Sequence, residues 1–270
     1  MNKIVLNDGE PLRAMPVEGI ALKLKDTMNM LRGAFFDAKG GRVAYERMRG
    51  SQVYKEYVQL SYTLKHMNLS DLADREEQLA FWINLYNVIV IHGVIAMGVR
   101  DSVKEVRYFF RRIRYQIGDM FFTPDDIEHG ILRGNRRAPN TLFKLFQEND
   151  RRREFVIEPV DPRVHFALVC ASSSCPPIEV YTRESIEKEL NIAAETFLNA
   201  GGIRIDRARR RVFLSRIFKW YGDDFAPTAA ERLRFIAPYL HDDEEKRFLE
   251  ENANSIRIAY QKYDWRLNRS

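Results

Sequence analysis

The chain has 270 residues, 45% hydrophobic and 12% aromatic, with a net charge of +5. That is ample for one substantial core, and 30% charged residues without low-complexity tracts exclude a disordered chain. Two cysteines exclude a disulfide framework, and the polar opening MNKIVLNDGEPLRAM lacks the apolar core of a signal peptide, so a cytoplasmic protein with free thiols is expected.

In chain order, Glu18 to Phe36 has apolar spacing that predicts a helix, punctuated by glycines 40 and 41. Ser51 to Leu69 sets Val53, Tyr57, Leu60 and Leu64 at helical spacing and predicts an amphipathic helix. Asp74 to Gly98 is the strongest helix, with Asp74 as cap and Glu77 in the capping-box position. Its apolar run, Leu79 to Met97, approaches the length of a membrane span. Asn84, Asn87, His92 and Gly93 interrupt it and no flanking pattern supports insertion, so a helix buried nearly all round is expected, and no span. Asn84 and Asn87 share one face, and buried amides must find partners.

RRIRYQIGDMFFT alternates and turns at Gly118-Asp119, which predicts a hairpin. TPDDIEHGILRGN then predicts a helix with Thr123 as cap and Pro124 at its first position. That helix puts His129 and Arg133 on one face, with Glu128 adjacent in sequence. VHFALVC, Val164 to Cys170, is short, apolar and β-rich, so it predicts a buried strand with His165 and Cys170 on opposite faces. A helix capped by Thr182, a second hairpin at IRIDRARRRVFLS, an aromatic helical segment at Arg216 to Phe225 and two further helices complete the pattern.

SSSCPP holds the most informative chemistry. Cys175 sits between three serines and two prolines, on stiff, non-helical backbone. A nucleophilic cysteine needs a lowered pKa and a base within reach, for which His129 and His165 are the candidates. Glu128 or Asn87 would orient that base. Arg133 would hold an anionic substrate group, with Asn84, Asn87 and Ser174 completing the substrate-binding set. A redox pair with Cys170 is disfavoured, because the spacing is C-x₄-C and a strand would turn Cys170 into the core. His129, His165, Cys175 and Glu128 are zinc ligands by type but stand at no familiar spacing, so no metal or cofactor is expected.

AFWINLYNVIVIHGVI, IEHGILR, DPRVHFALVCASSSCPPI, IFKWYGDDF and the terminal YDWRLN together resemble the domain of unknown function 547 family, over roughly Val43 to Phe225 and the tail near 263–268. The family occurs in bacteria, plants and animals, in some eukaryotes fused to glutaredoxin-like or DEP modules. The resemblance covers Asn84, Asn87, Glu128, His129, Arg133, Asp161, Arg163, His165, Ser174, Cys175 and Pro176. Val169 departs from it, since relatives carry a polar residue there, often Asn.

The expected architecture is α+β, a small mixed or antiparallel sheet packed by several helices. Residues 1–42 form a partly helical N-terminal extension and 43–270 a single domain. The expected function is a Cys/His hydrolase or acyl/amide transferase with a thiol-centred polar pocket, acting on a small molecule or peptide. The alternative is a non-catalytic module for protein–protein or nucleic-acid interaction, whose polar motifs are structural and whose basic hairpins contact a partner. Of those partners a protein is expected before nucleic acid.

Overall fold

The computed structural model describes residues 2–11, 19–37, 41–72, 74–139 and 141–270. Glu18 and one of the two punctuating glycines, Gly40, lie outside the described residues. The first elements are β1 (Ile4–Val5), α1 (Ile20–Phe35), the β2–β3 pair (Phe36–Asp37, Arg42–Val43), α2 (Tyr45–Arg49) and α3 (Gln52–Thr63). Next come α4 (Arg75–Ala96), α5 (Phe109–Arg112), and the hairpin β4 (Ile113–Ile117) and β5 (Met120–Phe122). The C-terminal half holds α6 (Ile186–Phe197), β6 (Ile203–Asp206), β7 (Arg211–Leu214), α7 (Ile217–Trp220), α8 (Gly222–Phe225), α9 (Ala229–Ile236), α10 (Asp243–Asn252) and β8 (Arg257–Tyr260).

Helix α4 is the axis of the fold. Asp74 caps it, its carboxylate accepting from the Glu77 N–H at 2.9 Å. Every residue from Leu79 to Ile95 is buried, so the helix is apolar all round because it is covered all round. By length and composition it could cross a membrane; here neighbouring elements cover it. Gly93 lets β4 approach, since a Cβ there would stand 2.3 Å from Ile113 Cδ1. Helix α1 packs on α3, and its Ile20, Leu24, Met28 and Leu31 join the same cluster as α4, so the N-terminal helix shares the main core.

Two mixed sheets flank the helices, which confirms the α+β class. β4 pairs parallel with β1 and antiparallel with β5; β7 pairs antiparallel with β6 and parallel with β8. The second sheet and α6 to α10 enclose a separate apolar cluster that includes Phe197, Val212, Phe218, Phe225, Leu233 and Leu249. Phe166 inserts there, stacked on Phe197 at 5.2 Å between centroids.

The segment 164–170 corrects the strand expectation. Pro162–Phe166 is a 3₁₀ helix, capped by Asp161, whose carboxylate accepts from the Arg163 N–H at 2.9 Å; Pro162 stands in the first turn. Asp-Pro is a helix-start signal, and it overrides the β propensity of the residues behind it. Residues 167–169 pair with a side chain instead of a strand. The Asn87 amide donates to Ala167 C=O at 3.0 Å and accepts from Val169 N–H at 2.9 Å. A smaller correction concerns α6, which begins at Ile186; Thr182 bonds through its N–H and hydroxyl to the Glu189 carboxylate.

Candidate functional site: a thiol cluster beside a buried ionic hub

The loop after residue 169 turns sharply. Ala171 adopts the left-handed conformation at φ 62°, and Cys175 N–H bonds Ser172 C=O at 3.0 Å. The C-terminal tail pins the turn: Ser173 N–H reaches Arg266 C=O at 2.8 Å and Asn268 N–H reaches Ala171 C=O at 3.1 Å. The Ser174 hydroxyl accepts from Asp264 N–H at 2.8 Å, so Ser174 ties loop to tail.

This turn brings the two cysteines together, which corrects the expectation that they are not partners. Their sulfurs lie 2.8 Å apart. The Cys175 sulfur also accepts from Cys170 N–H at 3.1 Å, and Ser172 Oγ and the Tyr263 hydroxyl lie 3.3 and 3.5 Å away. Burial alone would push the Cys175 thiol up; the hydrogen bonds from Cys170, Ser172 and Tyr263 outweigh it and hold the thiol down at about 6. Cys170 moves the other way, because its proton bonds the Cys175 sulfur and burial adds to that. Cys175 forms part of the wall of a cavity of about 240 Å³, together with Ser173, Ser174, Pro177, Lys262 and Tyr263. Cys170 is not in that wall.

Among the described residues no hydrogen bond joins Cys175 to His129 or His165, the bases expected from sequence, which are engaged with Arg133 and Asp224. His129 lies in a π-helical turn, Asp126–Leu132, entered through Thr123 and Asp126, which bond reciprocally through backbone and side chain. Gly130 lets the Phe146 ring pack on that turn, since a Cβ there would stand 2.3 Å from it. Arg133 Nη1 donates to His129 Nδ1 at 2.9 Å. A guanidinium has no acceptor, so Nδ1 is the bare nitrogen and the ring is neutral. Burial, ahead of the neighbouring charges, pushes His129 down in agreement. Glu128 Oε1 stands 3.7 Å from that same bare nitrogen and receives no hydrogen bond from it.

Asp224 is the hub of this second group. It accepts from Arg133 through Nε and Nη2, from Arg136 Nη1 at 2.8 Å and from His165 Nε2 at 2.8 Å. Burial would raise its carboxyl, but the bonds from His165 and Arg133 hold it well below the usual carboxylate range. Arg133 therefore already has its anion. Tyr221 lies between the hub and the thiols. Its ring stacks on His165 at 4.2 Å, and the Arg133 guanidinium lies 4.7 Å from its centroid. Tyr86 donates to Glu128 Oε2 at 3.1 Å, and burial, followed by the Glu128 charge, pushes the hydroxyls of Tyr86 and Tyr221 up. Cys170 is near enough to act electrostatically on both tyrosines.

Asn84 and Asn87 hold backbone. Asn84 donates to Tyr181 C=O at 2.8 Å and accepts from Tyr181 N–H at 3.0 Å, as Asn87 does for residues 167 and 169. Arg163 is held by Asp161, Glu187 and Asn191 and lies apart from His129. The residues that sequence reasoning missed are Cys170 as a thiol partner, Ser172, Tyr86, Tyr221, Asp224 and Tyr263. Tyr221, Asp224 and Tyr263 lie in the quoted motifs IFKWYGDDF and YDWRLN, whose aromatics suggested packing. Among the described residues no group of three His, Cys, Asp or Glu side chains is arranged to hold a metal ion.

No curated protein and no solved structure matches the chain. Residues 69–198 match the family described as Protein of unknown function, DUF547. That segment carries α4, the π turn, the His165 helix and both cysteines; Asp224 and Tyr263 fall beyond it. The match supports the resemblance to the DUF547 family over this segment, just under half of the chain.

Proposed function

We propose that the protein is a thiol-dependent enzyme in which Cys175 is the nucleophile, transferring or hydrolysing acyl or amide groups through a thioester. The observation that carries this reading is the polar ring around one sulfur at a cavity wall: Cys170 N–H donates to it, and the Cys170 thiol, Ser172 Oγ and the Tyr263 hydroxyl lie within 3.5 Å, linked to one another by the bond from Ser172 to Tyr263. Such a ring favours the thiolate, so the nucleophile needs no imidazole to deprotonate it. The Tyr263 hydroxyl, 3.5 Å from the sulfur and in the cavity wall, is a proton donor for a departing group. His129, His165 and Asp224 act in this reading as the rigid floor that positions Tyr221 and the 162–169 segment. Glu128 is a positioning residue for Tyr86.

The interaction-module alternative draws less support. Arg207 bonds Glu244, Arg209 bonds Asp206 and Arg210 bonds Asn252, so the basic hairpin is engaged within the chain.

The test is alkylation by iodoacetamide across pH, with mapping of the modified residue. Labelling of Cys175 with a midpoint near 6 supports the reading; a midpoint at the ordinary thiol value, about 8.5, overturns the preformed thiolate. A burst of one product equivalent from an activated ester, lost in Cys175→Ser, supports the acyl class. A burst that survives the substitution refutes it.

A further inference from the structure

The paired sulfurs have a chemistry that acyl transfer does not use. We infer that Cys170 and Cys175 form a dithiol–disulfide couple that reduces small disulfides, Cys175 attacking and Cys170 resolving. This rests on the reading of Cys175 as the nucleophile and adds a second activity to it.

Three observations carry the assignment. The sulfurs stand 2.8 Å apart, so less than an ångström of approach separates them from the bonded length of about 2.05 Å. The short C-x₄-C turn holds them there, pinned by the tail at residues 171, 173 and 174. Finally, both thiols are half-buried, but Cys175 alone of the two lines the cavity. A substrate entering the cavity meets Cys175 first, which assigns the attack to Cys175 and the resolving step to Cys170. Ser172 Oγ reaches both sulfurs at 3.3 Å, and the Tyr263 hydroxyl lies 3.1 Å from Cys170.

The steps balance. The Cys175 thiolate attacks one sulfur of R–S–S–R′, forms a mixed disulfide with R′S and expels RS⁻. The sulfur of Cys170 then attacks Cys175 Sγ, its proton passing by way of Ser172 or Tyr263 to the departing R′S, which leaves as R′SH. The protein loses two electrons and ends as the Cys170–Cys175 disulfide; the substrate gains both and ends as two thiols.

The experiment uses the full chain, reduced, desalted and mixed with glutathione disulfide, with aliquots quenched by acid for free-thiol counts and peptide mapping by mass. The expected result is loss of both protein thiols, a cross-linked peptide joining Cys170 to Cys175, and at most a transient glutathione adduct on Cys175. Cys170→Ser and Cys170→Ala should stop at that adduct, its decay slowed by about tenfold or more. A persistent adduct in the wild-type protein, or no reaction with the disulfide while Cys175 still alkylates at pH 7, overturns the couple and leaves the nucleophile reading standing. Failure of the folded protein to alkylate at Cys175 at pH 7 removes both. The wild-type cross-link decides the matter even where the Cys170 variants do not fold.

Discussion

Two polar clusters lie side by side in this protein, and they treat their charges in opposite ways. At Asp224 every strong group has a partner: a carboxylate takes hydrogen bonds from two arginines and a histidine, and Arg133 adds His129. At Cys175 the donors also converge, but on a sulfur that keeps one side on a cavity. A saturated ionic hub holds structure and has no valence left for a substrate. In the proposed reading, a thiolate stabilised there with an open side would retain its nucleophilicity. On that reading the same physical device, convergent hydrogen bonds, serves position in one place and reactivity in the other.

The largest effect should come from Asp224→Ala. It leaves Arg133 and His165 buried without their carboxylate and should cost about 3–5 kcal/mol in urea unfolding. If the two clusters differ as described, whatever remains folded keeps the low alkylation midpoint of Cys175. A midpoint that rises with loss of Asp224 would make hub and thiols one unit.

His92 supplies a control, a buried histidine with no ionic partner. Its Nδ1 bonds the Tyr115 hydroxyl at 2.7 Å, and the rings of Tyr54 and Tyr57 stand edge-on to it. Burial pushes it down from 6.5 to about 4. The unfolded chain thus takes up the proton first. The stability due to the neutral ring is complete above pH 6.5 and is lost as pH falls toward 4, up to about 3 kcal/mol. Unfolding free energies measured between pH 7 and 4 should show a shallower acid slope in His92→Gln than in the wild-type protein; equal slopes would refute the assignment.

Asn87→Ala should remove about 2 kcal/mol by orphaning Ala167 C=O and Val169 N–H. Because that segment leads into Cys170, hydrogen exchange at residues 167–175 should rise together with the stability loss. Protection unchanged there would show that the loop is held by the tail alone. The smallest effect on stability, about 1 kcal/mol or less, belongs to Tyr263→Phe. It should nevertheless raise the alkylation midpoint of Cys175 by about one pH unit, which would be the sharpest demonstration of the contrast between the two clusters.

Much of the frame was legible in the chain. The buried helix from Asp74, the hairpins at 113–122 and 203–214, and the i,i+4 contact of His129 with Arg133 follow from local pattern, because capping, alternation and helical spacing act over a few residues. The 164–170 segment was misread for a local reason as well: its apolar β-branched residues outvoted Asp161-Pro162, and the side chain that replaces a neighbouring strand comes from Asn87, 80 residues away from Ala167.

The amino-acid sequence by itself determined that the protein has one central apolar helix, mixed α and β elements, free thiols and a family pattern centred on SSSCPP. Only the tertiary structure decided which polar residues meet. It joined Cys170 to Cys175 through a left-handed turn clamped by the tail, and it engaged both histidines around Arg133 and Asp224. The reason is physical: a hydrogen bond such as that between Tyr263 and Cys170, 93 positions apart, depends on how the chain closes its loops, and no local periodicity records that.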